Sequence, residues 1–120
     1  MIKRVLVIDD DEAILEAVKM ALEMEDYEVE TLSRGDNAVD AIKQFSPKLI
    51  LLDYLLSGED GREVASRIRS NKECRDVPII MFSAHPNAEN YVRGYGVNGF
   101  LPKPFDLDVL IDMVGKYTRA

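Results

Sequence analysis

The sequence predicts an α/β fold: a parallel sheet with helices on both faces. Three observations predict it. Short apolar runs recur along the chain, segments with apolar residues at helical spacing separate them, and the two alternate strictly, strand then helix, five times. Strict alternation with right-handed crossovers gives this architecture. The 120 residues make one domain, and a chain of that size buries about two-thirds of its unfolded surface without needing a staple.

Each element has its own signature. The first strand is Val5-Leu6-Val7-Ile8, continuous in large apolar residues, as a strand buried on both faces requires. Asp10 and Asp11 then open a helix whose apolar face is Ile14, Val18, Ala21 and Leu22. Residues 27–32 alternate and read as an edge strand. Ala38, Ala41, Ile42 and Phe45 line the second helix, and Pro47 follows it. Leu49-Ile50-Leu51-Leu52 is a second fully buried strand, followed by a helix carrying Val64 and Ile68. Residues 77–82 form the fourth strand, with Pro78 at its start, where a strand tolerates proline. The fourth helix, with Tyr91, Val92 and Tyr95, is interrupted by Gly94 and Gly96. Residues 99–101 form the last strand. Asp106 opens the last helix, whose stripe is Leu107, Leu110, Ile111 and Val114.

Composition narrows the function. An apolar fraction of 47% is that of a globular protein. The net charge of −7 disfavours nonspecific binding to nucleic acid or an anionic membrane. Cys74 is the sole cysteine, so neither an internal disulfide nor a cysteine-rich zinc site is expected. Lys3 and Arg4 precede an apolar run that stops at Asp9, too short for a signal peptide. No stretch approaches the ~18 apolar residues of a membrane span. An acidic cytoplasmic protein is expected.

In a doubly wound sheet, ligands bind beyond the carboxyl ends of the strands. Here those ends carry chemistry. The first strand runs into Asp9-Asp10-Asp11, the third into Asp53, the fourth into Ser83, and the fifth is followed by Lys103-Pro104. Converging carboxylates need a partner, and a hard cation such as Mg²⁺ supplies one. Lys103 adds a point charge for a phosphoryl oxygen and Ser83 a hydroxyl donor. The set reads as a magnesium-assisted phosphoryl site with a carboxylate nucleophile. Asp11 is better explained by the helix terminus it precedes. Asp53, in contrast, interrupts the run from Leu49 to Leu56, where an unpaired acid is costly.

These motifs resemble the receiver domain of bacterial response regulators. The resemblance rests on Val5-Leu6-Val7-Ile8-Asp9-Asp10-Asp11, on Leu52-Asp53 with Gly61 eight residues on, on Ser83-Ala84, and on Lys103-Pro104-Phe105. Thirty residues separate Asp53 from Ser83 and twenty separate Ser83 from Lys103, and the likeness spans the whole chain. It implies a five-stranded, doubly wound (βα)5 flavodoxin-like sheet of order 2-1-3-4-5, in one receiver domain over residues 1–120. It implies that Asp53 takes a phosphoryl group from a histidine kinase or histidine phosphotransfer protein. Asp9, Asp10, Asp53 and the main-chain carbonyl of Leu55 would hold Mg²⁺. Ser83 and Lys103 would bind phosphoryl oxygens, and Phe100 would be the switch aromatic whose rotamer follows Ser83. The fourth helix, fifth strand and fifth helix would then present a changed face to a downstream effector. A cis Lys103–Pro104 bond is also expected.

The resemblance further implies a chain that catalyses only its own phosphorylation and dephosphorylation, and a monomer in isolation is expected, because Asn98 stands where the subfamily that dimerises through its fourth and fifth helices often has an acid. Two departures stand out. Ser57-Gly58 replaces the proline often found four residues after the acceptor, so a more mobile loop is expected there. Leu55 and His85 flank the site, and Leu55 offers an attacking water no hydrogen bond, so a long-lived phosphoryl group is expected. His85, the only histidine, reads as a loop residue rather than a phosphorelay histidine. The rival reading is a haloacid-dehalogenase-like phosphatase with Asp9 as nucleophile. Against it, Ala13 stands where that family has Thr or Val.

Overall fold

The structure, a computed structural model, describes residues 2–119, so the first and last residues of the expected 1–120 unit lie outside the described residues. The strands of the main sheet are β1 (Lys3–Ile8), β2 (Tyr27–Leu32), β3 (Leu49–Asp53), β6 (Ile79–Ser83) and β7 (Gly99–Pro102). They lie in the order β2-β1-β3-β6-β7, and every neighbouring pair is parallel. Counting only these five, the order is the expected 2-1-3-4-5. Two further strands, β4 (Leu55–Leu56) and β5 (Glu59–Asp60), form a small antiparallel hairpin just beyond Asp53. The helices are α1 (Glu12–Glu23), α2 (Ala38–Phe45), α3 (Gly61–Ser70), α4 (Ala88–Tyr91) and α5 (Leu107–Thr118).

The two-residue period of the strands divides the core. Val5, Val7, Leu49, Leu51, Ile80 and Phe82 face α1 and α5, where they meet Leu15, Val18, Leu110 and Val114. Leu6, Ile8, Ile50, Leu52, Ile79 and Met81 face the other way, onto Ile42 of α2, Val64 and Ile68 of α3, and Ala88 of α4. Side chains alternate between the faces of a strand, so a continuous apolar run serves both layers.

Local chemistry ends the elements where it should. Asp11 caps α1 by accepting from the amides of Ala13 and Ile14. Ser46 closes α2 in the left-handed conformation ahead of Pro47. The fourth helix is shorter than its apolar spacing suggests. It is a single turn, with Val92 buried and Tyr95 beyond it in the turn that follows. Gly94 and Gly96 have φ of 86° and 78°, which a right-handed helix excludes.

Candidate functional site

Strand register assembles the acids. Val5 to Ile8 of β1 pair with Leu49 to Leu52 of β3. One step further along that register, Asp9 comes beside Asp53. Both continue the alternating series Val5, Val7 and Leu49, Leu51, so both stand on the α1/α5 side of the sheet. Asp10 joins from the turn into α1. One carboxylate oxygen from each of Asp9, Asp10 and Asp53 lies within 4.8 Å of the others. Asp9 and Asp53 are buried and Asp10 is exposed.

Lys103 reaches this group from the loop between β7 and α5. Its Nζ donates to Asp9 Oδ2 at 2.8 Å and lies 3.3 Å from Asp53 Oδ1. Asp9 Oδ1 accepts from the amide of Asp11 at 2.9 Å. The Lys103–Pro104 bond that precedes α5 is cis. Burial raises the Asp53 pKa from the ordinary 3.8 to about 7; the charges of Asp9 and Asp10 add to the shift, and Lys103 opposes it. Burial works against the Lys103 charge, but its hydrogen bond to Asp9 and the charges of Asp53 and Asp9 outweigh that and hold its pKa above the ordinary value. A hard cation fits this donor set: three carboxylates offer only oxygen, and one member is exposed enough to leave room for water.

Ser83 and Phe100 sit differently. Phe82 pairs with Asp53 and belongs to the α1/α5 face, so Ser83, one residue on, points to the opposite face, toward α4. Its Oγ accepts from the His85 amide at 2.9 Å, which leaves the hydroxyl proton free to donate. Phe100 pairs with Met81 and packs, half-buried, on the same side. A hollow of about 180 Å³ beside it is lined by Val92, Arg93 and Val97, among others. Leu55 opens β4 and is 57% exposed. His85 is exposed, and its Nδ1 accepts from the Asn87 amide; its ring lies between those of Tyr54 and Tyr91.

Two features were not anticipated. The loop after Asp53, expected to be mobile, is the β4–β5 hairpin, and Ser57 at its turn donates to Asp10 Oδ2 at 2.7 Å. These two residues are 47 positions apart, so only folding brings them together. The second is Arg62, whose guanidinium lies over the rings of Tyr54 and Tyr95 while it bonds Asp60. Gly61, by contrast, stood out in the sequence, and its reason is steric. A Cβ there would collide with the main-chain oxygens of Asp53 and Tyr54. The phosphatase reading with Asp9 as nucleophile is not favoured. Asp9 has no exposure, and both of its oxygens are already hydrogen-bonded.

Similarity to known proteins agrees with the geometry. The phosphate regulon transcriptional regulatory protein PhoB of Rhizobium meliloti strain 1021 is 34% identical over 99% of this chain and 53% of its own length. The chain thus spans about half the length of the curated relatives it matches. Among solved structures, the receiver domain of NtrX from Brucella abortus superposes with a TM-score of 0.85 at 31% identity, covering 95% of this chain and 97% of that one. The chemotaxis protein CheY4 of Vibrio cholerae gives a TM-score of 0.90 at 25% identity, covering 98% and 99%. The family model of the response regulator receiver domain matches residues 5–115; with the doubly wound sheet and the acids gathered at its carboxyl edge, this chain belongs to the receiver-domain family of two-component signalling.

Proposed function

We propose that this receiver takes a phosphoryl group onto Asp53 from a histidine kinase or a histidine phosphotransfer protein, and that its state is read by a downstream effector. The observation that carries the reading is the meeting of Asp9, Asp10, Asp53 and Lys103 at one end of the sheet. Asp53 is the acid of this group at the end of a central strand, with Lys103 3.3 Å from one of its oxygens. In the transfer, an Asp53 oxygen forms a bond to phosphorus as the donor's P–N bond breaks. The donor imidazole keeps the bonding pair and leaves with a proton.

Asp9, Asp10 and Asp53, with the Leu55 carbonyl, would hold Mg²⁺, which when bound offsets the charge gathered on the phosphoryl oxygens. Lys103 orients one of those oxygens by a charge-assisted bond, and Ser83 donates its free hydroxyl proton to another. To do so Ser83 must turn inward, which opens space on the α4 side of β6. The half-buried Phe100 ring then moves into that space, and the surface of α4, β7 and α5 changes with it. The chain acts only on its own phosphoryl group. In isolation the receiver would be a monomer. Among the described residues no helix is long and apolar enough to cross a membrane, and the cytoplasm is the proposed setting.

Acetyl phosphate or phosphoramidate with Mg²⁺ should give an acid-stable, base-labile adduct at Asp53 in the intact chain. Asp53→Asn should lose it entirely. An adduct that forms at the same rate in Asp53→Asn overturns the assignment. Beryllofluoride should turn the Phe100 ring, and an unchanged rotamer removes the switch.

A further inference from the structure

We propose that Ser57 is a positioning residue for Asp10, orienting the exposed carboxylate of the acid group so that a small divalent cation binds more tightly. This rests on the metal reading above. The three acids are not equally held. Asp9 is buried, with its two oxygens bonded to the Asp11 amide and Lys103. Asp53 sits at the end of a central strand beside Lys103. Asp10 lies beyond the end of β1, exposed to water, and Ser57 supplies the hydrogen bond that holds its carboxylate. A free exposed carboxylate samples several rotamers, and a cation that needs one of them bears the cost of ordering it.

Ser57 is itself well placed to do this. It stands at the turn of the β4–β5 hairpin, where Leu55 pairs with Asp60 and Leu56 with Glu59. Gly58, with φ of 72°, lets the hairpin turn tightly. The hairpin is tied down on three sides. Leu56 is buried, Glu59 pairs with Arg67 at 2.6 Å, and the Gly61 amide donates to the Tyr54 carbonyl at 2.7 Å. The hydroxyl therefore approaches Asp10 from a held backbone. It uses one of about four lone-pair sites on the carboxylate, so the others remain for a cation.

The test is a Mg²⁺ titration of the intact chain followed by calorimetry and by the amide NMR shifts of residues 9–11. Wild type, Ser57→Ala, Ser57→Thr and Asp10→Asn are compared, and each is also melted in metal-free buffer. Losing an outer hydrogen bond to a ligand weakens metal affinity by roughly 10-fold at the low end. Ser57→Ala should show a loss of that size, with its metal-free melting temperature unchanged. Ser57→Thr, which keeps the hydroxyl, should bind as wild type does. If Ser57→Ala binds Mg²⁺ as tightly as wild type, or more tightly, the positioning role is overturned. If wild type and Asp10→Asn bind alike, the metal reading itself fails, and this inference with it.

Discussion

The carboxyl ends of β1 and β3 and the stretch from α4 to β7 are built on opposite terms. The first is held by the sheet. Val5 to Ile8 and Leu49 to Leu52 have no exposure, and parallel pairing flanks both strands on either side. The second has one turn of helix, two left-handed glycines and a four-residue edge strand. Tyr91 and Tyr95 stand 46% and 37% exposed. Side chains reaching from elsewhere tether it. Arg62 lies over Tyr54 and Tyr95, His85 lies between Tyr54 and Tyr91, and Arg69 donates to the Gly96 carbonyl and to Asn98 Oδ1. Groups that must meet to within an ångström belong on the rigid region. A surface that must change belongs where few backbone bonds resist.

The largest effect should come from disturbing the rigid end. In Gly61→Ala the new methyl meets the main-chain oxygens of Asp53 and Tyr54, which cannot swing aside as a flexible side chain would. Urea unfolding should show a loss of about 3 kcal/mol. Phosphorylation should fall as well, because the Asp53 backbone is what moves. A loss under about 1 kcal/mol would mean that this end yields more readily than its burial indicates.

Next in size is the electrostatic strain stored there. Burial and the neighbouring acids hold the Asp53 pKa near 7, above the ordinary 3.8. The folded chain thus keeps a proton that the unfolded chain has already released. Between those two values stability falls as pH rises, and above about pH 7 the penalty is complete. Asp53→Asn removes that penalty, which is already net of the opposing pull of Lys103. In metal-free buffer it should therefore stabilise the fold by on the order of 2 kcal/mol at pH 8, with the gain vanishing toward pH 4. A gain independent of pH would contradict the raised pKa.

The tethered region should respond in motion more than in stability. Arg62→Met keeps a stem of similar length but loses the charge over Tyr54 and Tyr95 and the bonds to Asp60. Hydrogen exchange should quicken several-fold in residues 91–97 and stay unchanged in β1 and β3. Equal acceleration in both places would erase the contrast between the regions. Smallest are two glycine changes with opposite signs. Gly115 lies inside α5 with open space around its Cβ position, so Gly115→Ala should gain about 0.5–1 kcal/mol. Gly94 has equal room but a φ of 86°, and Gly94→Ala should lose about 1 kcal/mol in thermal melts.

Much of this was legible in the residue order. Buried strands advertise themselves by continuous apolar runs, and Val5 to Ile8, Leu49 to Leu52 and Ile79 to Phe82 are all such runs. A carboxylate at the end of a run is legible for the same reason, since burial makes it costly without a purpose. The residue order alone thus places Asp9, Asp53, Ser83 and Lys103 at one edge of the sheet. The strand order required the family resemblance, because alternation alone does not say which strand lies in the middle.

Other features depend on groups far apart in the chain and have no local signal. Ser57 followed by Gly58 reads as a loose loop until Leu56 is seen buried and Glu59 paired with Arg67, which turns it into a hairpin. That Ser83 faces α4 while Asp53 faces α1 and α5 follows from the register of β3 with β6. Apolar periodicity is a property of neighbouring residues, so the chain itself determines which segments become strands and helices and where the acids fall on them. The bond from Ser57 to Asp10 and the clamp of Arg62 on Tyr54 and Tyr95 are contacts across the chain, and no local pattern encodes a contact that exists only once the strands have paired.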